Sequence, residues 1–104
     1  MLTIMIHATV KPEMLQEYLG LVDVLTKKTT KKGCLNYSFN QRIDEPTEFV
    51  LYEQWESEEY LNTHIEELFK ILGPSDSGNP VPDKLMNMYE KAVPVFYDVI
   101  AKNT

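Results

Sequence analysis

Phe49-Val50-Leu51-Tyr52-Glu53-Gln54-Trp55-Glu56-Ser57-Glu58-Glu59-Tyr60-Leu61-Asn62-Thr63-His64 carries two structural signals back to back. Its first seven residues are apolar, aromatic or alternating, the pattern of a buried strand. Ser57 then suits a helix N-cap, with Glu58 and Glu59 in the first turn facing the positive end of the helix dipole. Beyond that cap Tyr60, Leu61, His64, Leu68 and Phe69 recur at three- and four-residue intervals and so share one helical face. The only tryptophan of the chain therefore ends a strand, and one of its two histidines lies in the helix that follows, aimed back toward the sheet. Together they form a candidate pocket wall.

Upstream, Leu2, Ile4, Ile6, Ala8 and Val10 alternate with Thr3, Met5, His7 and Thr9, which predicts a strand with two distinct faces. Lys11-Pro12 stops it, because proline donates nothing to a ladder but is tolerated at a helix start. From Glu13 to about Thr30 an apolar stripe of helical period (Leu15, Tyr18, Leu19, Val22, Leu25) predicts an amphipathic helix. Lys27, Lys28, Lys31 and Lys32 gather at its C-terminal end, where the dipole favours cations, and Gly33 closes it. Leu35, Tyr37 and Phe39 alternate with Asn36, Ser38 and Asn40 as a second strand. The turn Asp44-Glu45-Pro46-Thr47 folds it back onto Glu48–Trp55 as a hairpin.

Downstream of the helix over Ser57–Leu72, the Gly- and Pro-rich run Gly73–Pro82 predicts irregular structure, a flexible loop over residues 73–83. Asp83 suits the cap of a short helix reaching about Lys91, with Leu85, Met88 and Tyr89 inward, and Val93–Ile100 reads as the last strand. The order β-α-β-β-α-β is the ferredoxin-like split βαβ arrangement of an α+β domain, here with an extra short helix before the final strand. One such domain accounts for residues 1–104. With the helices on one face, the other face of the sheet is left bare. It carries Met5, or Val50 and Tyr52, or Phe96 and Ile100, according to which way each strand turns. An exposed apolar sheet face marks an interface.

Composition narrows the function classes. A net charge of −6 argues against a nucleic-acid backbone as ligand, which needs a basic patch. No apolar run approaches the roughly 20 residues of a membrane span, and the start Met1-Leu2-Thr3-Ile4 has no basic leader or cleavage site. A single cysteine forms no internal disulfide, and together these features lead us to expect a cytoplasmic protein. There is no Gly-rich phosphate loop, paired-cysteine motif or His-x-x-x-His spacing, so neither a nucleotide or flavin cofactor nor a metal is expected.

The run Phe-Val-Leu-Tyr-Glu-Gln-Trp-Glu-Ser followed by the helix bearing His64 resembles the signature of the antibiotic biosynthesis monooxygenase (ABM) family, which includes small quinol monooxygenases. The opening strand with Lys11-Pro12, the turn Gly33-Cys34-Leu35 and a closing strand near Val95–Ile100 fit the same pattern in order. The resemblance implies a dimeric α+β barrel, in which two copies pack through their sheets as a homodimer. It also implies cofactor-free oxidation of a quinol or polycyclic phenol by O2, with a functional histidine at His64. Such chemistry needs a base, because the phenolate and not the phenol transfers an electron to oxygen, and a neutral imidazole can take that proton.

Trp55 would then be a flat wall against an aromatic substrate, with Tyr52, Tyr60, Tyr37 and Phe69 adding lining and His7 placed on the first strand. Each of these has a packing role as its alternative. Some heme-degrading relatives carry an asparagine on the first strand and a ligating histidine after the second helix. Neither occurs here, so heme degradation is not expected. Many members have a second histidine one turn beyond the His64 position, where this chain has Leu68-Phe69. Arg42, the sole arginine, could hold an anionic group or be a surface charge at the hairpin end. Two further functions fit the same residues: a non-catalytic module holding an aromatic ligand, and an isomerase-type enzyme on the same barrel.

Overall fold

The computed structural model describes residues 1–29 and 32–103. In chain order its elements are β1 (Leu2–Val10), a 3-10 turn (Pro12–Met14), α1 (Leu15–Lys28), β2 (Cys34–Gln41), β3 (Glu48–Trp55), α2 (Glu58–Leu72), α3 (Asp83–Met86) and β4 (Tyr89–Asp98). The strands pair antiparallel in the order β2-β3-β1-β4, the ferredoxin-like arrangement that the sequence predicts. The two central strands, β1 and β3, are the two with the strongest apolar alternation.

Strand parity divides the sheet. Ile4, Ala8 and Val10 of β1 and Phe49, Leu51, Glu53 and Trp55 of β3 are buried on one face, under the helices. Two hydrophobic clusters hold that face. In the larger, Tyr18 of α1 packs edge-on against Phe49 and Tyr89, with ring centroids 5.0 and 5.3 Å apart, beside Leu51, Leu85 and Met88. The Tyr18 and Tyr89 hydroxyls hydrogen-bond to each other at 2.8 Å, so neither is buried without a partner. In the smaller, Ile4, Trp55 and Leu61 pack together with Tyr60 and Ile65 alongside. Register places Met5, His7, Val50, Tyr52, Val93, Val95 and Tyr97 on the opposite face, which no helix among the described residues covers.

Several boundaries differ from the expectation. Pro12–Met14 is a 3-10 turn, and α1 proper runs from Leu15 to Lys28; Thr30 and Lys31 lie outside the described residues. Ser57 occupies the N-cap of α2, but its side chain makes no capping hydrogen bond. The short helix ends at Met86 and Tyr89 already belongs to β4, because the Ala92–Val95 run pairs with β1 from Val10 downward. Pro94 is accommodated because β4 is an edge strand. Leu35 is 39 % exposed, since the β2–β3 register shifts between Cys34 and Asn36 and drops it from the alternation. Phe96 pairs with Ile4 and belongs to the helix-covered face, whereas Ile100 lies beyond the end of β4.

The irregular segment between α2 and α3 is organised by one side chain. Asp83 accepts hydrogen bonds from the backbone N–H groups of Asp76 and Ser77, from the Ser75 and Ser77 hydroxyls and from Asn79 Nδ2. Desolvation works to raise its carboxyl, but those bonds outweigh it and hold Asp83 below the ordinary aspartate range. Among the described residues no helix is long and apolar enough to cross a membrane.

Candidate active site

A cavity of about 280 Å³ lies between the sheet and the helices. Small-molecule sites span roughly 300–1,000 Å³, so its size suits a compact ligand. Ile4 and Ile6 of β1, Phe39 of β2, Leu51 of β3 and Ala92 and Pro94 of β4 supply its sheet wall. Leu61, His64, Ile65 and Leu68 of α2 supply the opposite wall. Their i, i+3, i+4, i+7 spacing is what presents one helical face to the sheet. Pro80 and Val81 of the Asp83-centred segment close part of the rim, while Phe96 lines the cavity although 59 % exposed.

The polar part of this lining consists of Tyr37, Glu53, His64 and Tyr89. His64 is only 2 % exposed. Its ring lies 4.9 Å from that of Trp55 at an interplanar angle of 38°, and 4.8 Å from that of Tyr37, edge-on at 71°. Trp55 is fully buried behind this group and its indole N–H donates to Glu53 Oε1 at 3.1 Å. Tyr37 and Glu53 are cross-strand partners on the same face.

Burial sets the electrostatics. Desolvation pushes the Glu53 carboxyl above the ordinary glutamate range, with the Trp55 N–H pulling the other way. Desolvation, and then the neighbouring Glu53 charge, push the Tyr37 hydroxyl above the ordinary tyrosine range. Tyr18 is raised in the same way, and Tyr89 is pushed up to about 12, mainly by burial. All three phenols stay protonated across the physiological range.

The structure brings together His64, Trp55 and Tyr37 of the residues singled out from the sequence. Tyr60 packs in the smaller core cluster and its ring fills the space that a side chain at Gly33 would need. Phe69 is half-buried beside the lining positions but is not one of them. Tyr52 and His7 lie on the opposite face of the sheet, so they do not share the cavity with His64. His7 instead borders a shallow groove with Asn40, Gln41, Arg42 and Val50. Arg42 is occupied by Asp44 and Glu45 at 2.6 and 3.2 Å, as a hairpin-end surface charge. Glu53 is the residue that sequence reading passed over. The signal was there: it has the same parity as Phe49, Leu51 and Trp55, an acid at a core position of a strand.

The sequence profile of the family described as antibiotic biosynthesis monooxygenase matches residues 1–67. The chain belongs to that family. Among solved structures, one from Nitrosomonas europaea superposes with a TM-score of 0.75 at 18% identity, covering 97% of this chain and 100% of that one. A conserved protein from Methanosarcina mazei Go1 is 26% identical with a TM-score of 0.68, over 92% of this chain and 89% of its own. A structure described as an antibiotic biosynthesis monooxygenase gives a TM-score of 0.71 at 21% identity, over 97% and 100% of the two chains. No curated protein gives a significant sequence match.

Proposed function

We propose that this protein is a cofactor-independent monooxygenase that oxidises a quinol or polycyclic phenol with O2. The observation that carries the reading is His64, buried against the rings of Trp55 and Tyr37 in the wall of an apolar cavity. His64 accepts a proton from the substrate hydroxyl, and the resulting phenolate is electron-rich enough to reduce oxygen. The substrate supplies all the electrons: one oxygen atom enters the ring system and the other leaves as water, as when a hydroquinone becomes a hydroxyquinone. Phe39 and the aliphatic lining hold the flat substrate and exclude bulk water, while Trp55, outside the lining and fully buried, backs His64 from behind.

The working unit in this reading is a homodimer formed through the bare sheet face, where Val93, Val95 and Tyr97 are 40, 36 and 47 % exposed. The acidic surface, the single cysteine and the lack of a membrane-length helix among the described residues support a cytoplasmic setting without nucleic-acid or membrane partners. Oxygen consumption on a panel of reduced quinols and polycyclic phenols tests the function, with autoxidation subtracted. Uptake above background in the wild type, falling at least about tenfold in His64→Ala, is expected from loss of a general base. Equal uptake in both proteins would remove His64 from the mechanism. Ligand binding without any uptake would favour the binding module or isomerase instead.

A further inference from the structure

The cavity contains a charged residue type that the reaction above leaves unused. Glu53 is 7 % exposed, lines the cavity, and faces the helices from the middle of the sheet, with Ile4 and Tyr37 as its cross-strand neighbours. Among the described residues no lysine or arginine lines the cavity with it, and it takes part in no ion pair. Its hydrogen bond comes from the Trp55 indole N–H, which engages Oε1 and fixes the side chain in the wall that also holds His64. An acid retained at a core position costs stability unless its polarity is used. The remaining titratable groups around the cavity are Tyr37, His64 and Tyr89, from three separate elements.

We infer that Glu53 is the polar anchor of the cavity: it hydrogen-bonds a hydroxyl of an uncharged aromatic ligand, and the absence of lysine and arginine from the lining among the described residues selects against carboxylated or phosphorylated ones. This deepens the aromatic-ligand reading of the same cavity and rests on it. Burial favours the neutral carboxylic acid, which can donate to and accept from a phenolic oxygen at once. A ligand that arrives with a permanent negative charge would lose its hydration among Ile4, Ile6, Leu51 and Leu68, and the described lining holds no lysine or arginine to replace it. The ligand class is therefore narrower than "aromatic": a neutral ring system with an unmodified hydroxyl, presented toward β3.

The test is equilibrium dialysis without turnover, using naphthalene, 2-naphthol and 2-naphthoate as probes on wild type, Glu53→Gln, Glu53→Leu and His64→Ala. A ligand hydrogen bond in a buried site is worth about tenfold in affinity. Wild type should bind 2-naphthol at least about tenfold more tightly than either other probe. Glu53→Gln, which keeps a neutral donor and acceptor, should retain that preference, whereas His64→Ala, which removes the proposed base, should bind 2-naphthol more weakly but still prefer it to naphthalene. Glu53→Leu should bind naphthalene and 2-naphthol alike. Equal wild-type affinity for naphthalene and 2-naphthol overturns the proposal without any variant, as does tight binding of 2-naphthoate. Loss of the preference in His64→Ala with Glu53 intact assigns the anchor to the histidine and also overturns it. Failure of all three probes to bind would remove the aromatic-ligand reading along with the anchor. Oxygen uptake plays no part in any arm, so loss of the anchor with aromatic binding retained leaves the monooxygenase reading standing.

Discussion

His64 and His7 are the chain's two histidines, and the sheet separates them. On the helix-covered face His64 is 2 % exposed, boxed by Trp55 and Tyr37 and joined in the cavity wall by Glu53. On the other face His7 is exposed, between Val50 and Val93 on the neighbouring strands. Tyrosines divide in the same way, with Tyr37 and Tyr89 toward the helices and Tyr52 and Tyr97 away from them. The residue types on the two faces are similar, but their surroundings are not. Enclosure gives His64 and Glu53 a low-dielectric setting, in which a hydrogen bond is stronger than it is in water. Openness leaves His7 and Tyr52 to surface contacts.

The sharpest way to break this contrast uses two adjacent residues of β3. Trp55→Ala should cost about 3–5 kcal/mol of folding stability, because a fully buried ring is removed from the smaller core cluster. Gln54→Ala, on the opposite face, should cost only about 0.5–1.5 kcal/mol, the worth of its 3.1 Å hydrogen bond to Thr3. Urea denaturation of both variants measures the difference. Comparable losses would mean that the two faces are not energetically distinct.

A charge on the open face should act on assembly and not on folding. Val95→Glu is expected to weaken self-association by at least about tenfold, roughly 1.4 kcal/mol, with the melting temperature of the monomer nearly unchanged. Sedimentation velocity across a concentration series measures it. An unaltered sedimentation profile would place any dimer contact elsewhere.

The smallest effect concerns pH. The folded carboxyl of Glu53 is raised above its ordinary value of 4.5, so the folded state holds its proton more tightly than the unfolded chain does. Its contribution is fully present below about 4.5 and is lost as pH rises through the folded value. Glu53→Gln has no such loss. The variant's melting temperature relative to wild type should therefore climb from about pH 4.5 upward, most steeply between that value and the folded one, and level off above it. A difference that stays constant with pH would mean that Glu53 ionises as freely as a surface carboxylate.

The fold was legible because alternation and helical spacing are local properties. Leu2 to Val10, Leu15 to Leu25 and Phe49 to Trp55 each declare their element without help from the rest of the chain. His64, Trp55 and Tyr37 could also be brought together from sequence, since a helix that follows β3 directly must fold back over it. Relative parity across strands could not be read in the same way. Whether Tyr52 shares a face with His64 depends on register, and a shift of one residue reverses the answer. Leu35 shows this directly, because a bulge at Cys34/Asn36 puts an alternating leucine into solvent. The end of the short helix was misjudged for a related reason. Met88 and Tyr89 suit an inward helical face, but pairing with β1 claims Tyr89 for a strand. Asp83's hold on residues 75–79 is equally non-local in its effect, drawing a Gly- and Pro-rich run together around a single carboxylate.

Because each face carries one histidine, the molecule contains its own pair of reporters. The most direct measurement is a two-dimensional NMR spectrum of the ¹⁵N-labelled histidine side chains during titration with 2-naphthol, each signal assigned by a His7→Gln or His64→Gln variant. Binding in the cavity should move the His64 ring resonances and leave those of His7 in place. Movement of His7 with His64 unchanged would put the ligand on the open face and contradict the assignment of the site.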